Sequence, residues 1–149
     1  MNIRMANKND TQDGIEEIVK AIKEFPEFSI KGLIVTDEYY KTLIKLCLDR
    51  GMIIVAEEDN KIIGCLMSLI NNNIFNAMQE LVTIVTWVRK DRRNSSAFYR
   101  MHKFYKAEYT KLIKQNKIDR VLIPCLPDKT NIKFEKLGYK LIEKTYEWR

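Results

Sequence analysis

The 149-residue sequence predicts a mixed α/β (α+β) fold, one sheet with helices on both faces, and three observations carry that prediction. Segments with apolar residues at helical spacing alternate with runs of β-branched residues. "MIIVAEE" and "IIGCLMSLI" flank the turn "EDNK" and so form a hairpin. "ELVTIVTWV" is apolar on both faces, as a central strand covered on both sides must be. No repeat, low-complexity tract or Pro/Gly/Ser-rich linker divides the chain, so residues 1–149 are expected to form a single domain with a substantial core.

Taken in order, "NIRMA" is a short opening strand. Asp10 or Thr11 can cap a helix carrying Ile15, Ile18, Val19 and Ile22 at helical spacing. "EFPEFSIKG" breaks it with Pro26 and Gly32. Thr36 or Asp37 caps a second helix, whose stripe is Tyr40, Leu43, Ile44, Cys47 and Leu48, and Gly51 closes it. The hairpin follows, then the Asn-rich connection "NNNIFNAMQ", then the two-faced apolar strand. Residues 96–115 form a helix with Phe98, Met101, Tyr105 and Leu112 on one stripe and Phe104 beside it. "RVLIPC" is another buried strand, Asp128 or Thr130 starts a short helix ending at Gly138, and "YKLIEKTYEWR" closes as a strand. The front half is antiparallel and the back half resembles a βαβ unit.

Composition excludes several functions. No run of about 18 apolar residues exists, so nothing spans a membrane, and the polar start "MNIRMANKNDTQDG" predicts a cytoplasmic protein. Cys47, Cys65 and Cys125 are scattered in apolar runs and read as reduced core residues. One histidine and no Cys-x-x-Cys pair leave no metal site. The net charge of +6 is uneven: residues 89–117 hold ten Lys/Arg against Asp91 and Glu108, and the remainder is slightly acidic. His102, at the edge of its stripe, reads as a surface residue, and Glu57 and Glu58 as ordinary turn residues.

The element order and two local motifs resemble the GNAT superfamily of acyl-CoA-dependent N-acyltransferases. One motif is the apolar strand ending in Val and followed by an Arg-containing loop that opens a helix, in the family Val-x-Pro-x-x-Arg-Gly-x-Gly-x-Gly/Ala. The chain reads Val88-Arg89-Lys90-Asp91-Arg92-Arg93-Asn94-Ser95-Ser96-Ala97-Phe98. Counting from Val88 places Arg93 at the Arg position and Ser96 and Phe98 at glycine positions. A shift by one uses Arg92, Ser95 and Ala97. Spacing favours Arg93, although Ala97 suits the second small position better than Phe98. The other motif is "NIKFEKLGYK", similar to the family's Asn-x-x-x-x-Tyr-x-x-x-Gly-Phe helix through Asn131 and Gly138-Tyr139. The resemblance implies a GNAT-like mixed sheet of six or seven strands.

Physical chemistry supports the likeness independently. Coenzyme A carries a pyrophosphate and a 3′-phosphate, and a helix N-terminus offers unpaired N–H groups with roughly half a positive charge. Small residues at 94–97 let the backbone approach an anion, and the serine hydroxyls can donate to phosphate oxygens. Arg89, Lys90, Arg92 and Arg93 could pair with either phosphate group.

The implied activity is transfer of an acetyl (acyl) group from acetyl-CoA to a primary amine, on a small molecule or a protein. Amine attack creates an oxyanion and then a thiolate, so a base, an oxyanion donor and optionally an acid are needed. The resemblance assigns the donor to backbone N–H of Thr86, Trp87 and Val88, and cofactor contacts to Arg93, Asn94, Ser95, Ser96, Ala97, Phe98, Asn131 and Phe134. Glu80, opening the fourth strand, is the candidate base, with a solvated strand-start carboxylate as the plainer reading. The family's general-acid tyrosine falls at Phe134, which has no proton to give; Tyr139, Tyr105 or water would substitute. A thiolate with a pKa of ~8.5 also leaves tolerably unaided.

Two other functions compete. Loss of that tyrosine and of the loop glycines suits a catalytically silent CoA-binding protein with a regulatory or structural role. The basic stretch suits nucleic acid less well, because lysines along a helix usually make a solvated face and no nucleic-acid motif accompanies them. Phe25, Phe28, Ile74, Phe75 and Met78 are expected to line an acceptor pocket, or else to serve as core or homodimer contacts.

Overall fold

The computed structural model describes residues 1–6, 16, 18–20, 23, 36–125 and 132–143. β1 (Asn2–Met5), β2 (Gly51–Glu58), β3 (Lys61–Asn72) and β4 (Gln79–Val88) pair antiparallel in succession, and β5 (Arg120–Leu122) runs parallel to β4. Spatial order therefore follows chain order. A hairpin turn at Asp59 and Asn60, both with φ near +55°-type left-handed values (51° and 59°), joins β2 to β3. Helix α1 (Asp37–Arg50) covers one face of the sheet and α2 (Ala97–Lys114) the other.

The sequence makes this sandwich because β2 and β3 are apolar on both sides. In β2, Ile53 and Val55 face α1, whereas Met52, Ile54 and Ala56 face α2, the period-two alternation of a pleated strand. Tyr40, Ile44 and Cys47 of α1 complete one core layer with Ile18 and Val19, whose neighbours 16, 20 and 23 are helical as expected. Ala97, Met101 and Tyr105 of α2 complete the other. Burying a Leu- or Ile-sized side chain contributes about 1.5–3 kcal/mol, so each layer stabilises the sheet substantially. Of the two proposed caps for α1, Thr36 is the one used: its Oγ1 accepts from the Tyr39 N–H at 3.3 Å.

Two expectations about glycine resolve differently. Gly51 follows α1, but its backbone is extended (φ −159°) rather than left-handed; a side chain there would collide with the Ser68 carbonyl across the β2–β3 pair. Gly138 has φ 92° and caps a single 3-10 turn, Phe134–Leu137, as the sequence predicts. The predicted caps Asp10, Thr11, Asp128 and Thr130 lie outside the described residues, as do Phe25 and Phe28.

The expected sheet of six or seven strands is five-stranded among the described residues. β5 stops at Leu122, short of the predicted "RVLIPC", because Pro124 has no N–H to extend a ladder. Residues 139–143, the start of the predicted closing strand, form no strand, and Leu141 and Ile142 are exposed. Such a strand needs a partner edge, and β5 offers only three residues.

The cysteines divide. Cys47 and Cys65 are buried as expected, and burial pushes their thiols up to about 11 and about 12. Cys125 is exposed, contrary to the core reading, because the strand that would have buried it ends three residues earlier. A colorimetric disulfide reagent is expected to titrate one thiol in the native protein and all three in denaturant. Rapid native reaction of a second thiol would contradict the burial of Cys47 and Cys65.

Candidate active site

β4 carries a register irregularity close to the point where its pairing with β5 ends. Met67 pairs with Val85 but the next residue, Ser68, pairs with Thr83, so Ile84 is an extra residue. This β-bulge flips the strand's facing: Leu81 belongs to the α2 layer, whereas Val85 and Trp87, an even number of residues on, belong to the α1 layer. Pairing with β5 stops just before it, at Val82–Leu122. Residues 83–88 therefore continue as a strand with no partner on the β5 side among the described residues. Their outward N–H groups have no strand partner on that side among the described residues. Trp87 itself is buried against the α1 side, so only its backbone can belong to that open edge.

From Val88 the chain enters the loop. Arg89 grips Asp91 bidentately, Nε to Oδ1 at 2.6 Å and Nη2 to Oδ2 at 3.0 Å, and this holds the Asp91 carboxyl below its usual range. Arg92 Nη2 sits 2.6 Å from Glu58 Oε2, a close ion pair without hydrogen-bond alignment that ties the loop to the β2–β3 turn. Glu58 is thus no idle turn residue, and Glu57 likewise pairs with Arg4 at 2.9 Å. Arg93 Nε donates to the Val88 carbonyl at 3.2 Å, which leaves its two terminal nitrogens outward on an exposed side chain. Two of the four predicted phosphate partners are therefore engaged with carboxylates. Lys90 and Arg93 carry no ion pair among the described residues.

The helix beyond is open at its end. Ser96 is the N-cap residue, exposed, with no capping hydrogen bond from its side chain and no acidic residue in the first turn. Ser95 Oγ accepts from the Ala97 N–H at 3.2 Å, so the serine before the cap builds the turn. Asn94 and Ser96 stay exposed, Phe98 is half-buried, and Ala97 is fully buried against the sheet. A helix start left uncapped, free of acid and flanked by outward Lys90 and Arg93 fits a diphosphate. These residues fit CoA.

Solved structures share this architecture. An aminoglycoside N-acetyltransferase in complex with CoA superimposes with a TM-score of 0.73 at 15% identity, over 99% of this chain and 93% of that one. A ribosomal-protein-alanine N-acetyltransferase from Brucella melitensis biovar Abortus gives 0.70 at 13% identity, over 99% and 97%. The fold is that of the GNAT acetyltransferases. A transcriptional regulator from Bacillus halodurans is similar at TM-score 0.72 and 13% identity, over 99% and 98%. No family model and no curated protein matches the sequence.

Within this GNAT fold the two candidate proton-transfer residues are both engaged. Glu80 is buried in the paired β4–β5 segment, where Oε1 accepts from Arg120 Nε at 2.7 Å, from Arg120 Nη2 and from Asn73 Nδ2 at 3.0 Å. About four residues of strand, roughly 13 Å, separate it from the bulge. The Tyr139 hydroxyl lies 2.9 Å from His102 Nε2 and 3.3 Å from the Tyr109 hydroxyl, and burial raises its pKa far above the ordinary phenol value. A phenol so raised is a poor acid for a thiolate. Phe134 packs edge-on to the Tyr139 ring. Asn131 lies outside the described residues. Ile74 and Phe75 cap the β3–β4 turn at 88% and 90% exposure, which removes the core reading for both.

His102 is not a surface residue; it is 4% exposed, stacked on Phe98 and bonded to Tyr139. It lies four residues after Phe98 and three before Tyr105, on the helix's inner stripe. Burial, and secondarily the Lys106 charge, lower its pKa below the ordinary 6.5. The unfolded chain therefore takes up a proton first as pH falls. Stability is fully present above about pH 6.5, declines below it, and levels off beneath the native pKa. Urea midpoints measured from about pH 8 to about pH 5 are expected to show this decline and His102→Gln to flatten it. An identical pH slope in the variant would refute the assignment.

Proposed function

We propose that this chain is an acyl-CoA N-acyltransferase of the GNAT superfamily, transferring an acetyl group to a primary amine. The observation that carries the proposal is the conjunction of the β4 bulge, the β4 edge beyond it that has no partner among the described residues, and the α2 start with Arg93, where the Ser96 side chain makes no capping bond. Arg93, Lys90 and the amides at the start of α2 hold the phosphates. The outward amides of Ile84 to Val88 hold the arm and the acyl carbonyl. When bound, acetyl-CoA supplies a thioester open to amine attack and a thiol acidic enough to leave as its anion. Prealigned β4 amides favour negative charge on the carbonyl oxygen, the largest contribution that backbone alone can make to acyl transfer.

Proton handling falls to the remaining groups. Among the described residues no hydrogen bond reaches Glu80 Oε2, but the carboxylate stands apart from the bulge and is anchored by Arg120. We read it chiefly as the pin that closes the β4–β5 pair, with water taking the ammonium proton. Tyr139, fastened to His102 and Tyr109, serves as a tether for residues 132–139 rather than as an acid.

Calorimetric titration with acetyl-CoA, followed by thiol release across an amine panel that includes peptide N-termini and aminoglycosides, tests this reading. Binding with turnover is the expected result. Binding without turnover on any amine would favour the silent CoA-binding alternative, which the engaged Tyr139 and the absent acid at Phe134 support. No binding would remove both.

A further inference from the structure

Three hydroxyl residues stand in the core at the register slip that creates the bulge. Ser68 and Thr83 are paired across β3 and β4, the last pair before Ile84 is extruded. Both are buried, at 0% and 5% exposure, in a sheet whose other inward positions are almost all apolar. Tyr105 of α2, at 0% exposure, points its hydroxyl into the same place, 3.2 Å from Thr83 Oγ1 and near enough to Ser68 for the two hydroxyls to interact. Ser68 Oγ in turn donates to the Met52 carbonyl of β2 at 3.2 Å. One polar knot thus links β2, β3, β4 and α2.

Such a knot has a structural cost that plain packing would avoid. Valine or phenylalanine would fill the same volume without burying polar atoms, and a buried hydroxyl is tolerated only when bonded. Its position explains it. A bulge inserted in a two-faced apolar strand has no polar alternation to fix which residue is extruded, so slippage by one residue would leave a similarly apolar strand. The Thr83–Tyr105 hydroxyl pair forms only with Thr83 on the α2 face, opposite Ser68, and so selects the one register.

We propose that Tyr105, Thr83 and Ser68 are positioning residues that lock the β4 bulge and thereby aim the amides of Ile84 to Val88 at the acyl carbonyl. The catalytic part rests on the acyltransferase reading above; the locking part does not. Tyr105 touches no substrate. It acts through the strand.

The test uses Tyr105→Phe and Thr83→Val, each nearly isosteric, with Thr83→Ser as the conservative rescue. Amide exchange by NMR on the ligand-free protein reads the lock directly: the amides of residues 82–86 are expected to exchange about 10-fold faster in both variants and at the native rate in Thr83→Ser. In turnover assays kcat is expected to fall about 10- to 100-fold with KM for acetyl-CoA within about 2-fold, because the phosphate grip is untouched. The double variant should be no worse than either single one, as expected for a shared interaction. Native exchange rates at 82–86 in Tyr105→Phe would overturn the lock, whatever the protein binds. Faster exchange with unchanged kcat would overturn its catalytic purpose. Failure of the wild type to bind acetyl-CoA would instead sink the acyltransferase reading while leaving the exchange result to decide the lock.

Discussion

Ser96→Asp is expected to make the protein slightly more stable and nearly unable to bind acetyl-CoA. Ser96 caps α2 with an exposed side chain that makes no capping bond, and no acidic residue occupies the first turn. Its backbone (φ −76°, ψ 5°) is not the extended shape of a side-chain cap, so an aspartate acts mainly through charge on the helix dipole. That contributes about 0.5 kcal/mol of stability. The same negative charge set against a diphosphate costs several kcal/mol, and affinity should fall about 100-fold or more. Melting and calorimetry on one preparation check both signs. An unchanged affinity would mean that the phosphates lie elsewhere, and a fall in both quantities would mean only that the turn was damaged.

Arg120→Met is expected to cost about 3 kcal/mol, well beyond the ~1 kcal/mol of Glu80→Gln. The asymmetry follows from burial. Glu80 is 7% exposed, so losing Arg120 strands a carboxylate with Asn73 as its one remaining partner among the described residues. The Arg120 side chain is about a third exposed (36%) and can rehydrate when Glu80 is neutralised. Urea denaturation of the two variants decides the order. Glu80→Gln also separates anchor from base: as an anchor it leaves kcat within about 3-fold, whereas a loss of roughly 100-fold in a folded variant would make Glu80 the general base.

The order of elements was legible because each leaves a local mark. Thr36 before an amphipathic run, Asp59-Asn60 between two apolar runs, and Gly138 after a short turn each state a backbone shape that few other residues satisfy. The turn between β4 and α2, proposed above for phosphate, was legible as a turn for the same reason, as small residues at a strand-to-helix junction. The bulge was not. "ELVTIVTWV" is apolar on both faces, so extruding Ile84 changes which side each residue faces without leaving a polar residue exposed or an apolar one misplaced. Thr83 and Ser68 were the available signal, two hydroxyls within largely apolar runs, but a sequence does not reveal that they face each other and Tyr105.

Polar identity misled in the other direction at His102 and Glu58. A histidine on a lysine-rich helix and a glutamate at a hairpin turn both look solvated, and their actual partners, Tyr139 and Arg92, are 37 and 34 positions away. The arginine-rich loop shows the same limit. Arg89 and Arg92 looked equivalent to Arg93, yet Asp91 and Glu58 engage them while Arg93 braces Val88 and forms no ion pair among the described residues.

Residue-resolved NMR during a CoA titration tests the central claim most directly. Binding at the start of α2 predicts saturable shifts in the amides of residues 93–99 and of the β4 edge from Ile84 to Val88, with Ile74 and Phe75 unmoved. Saturation that leaves the amides of Asn94 to Tyr99 where they were, or no saturation at millimolar CoA, would contradict it.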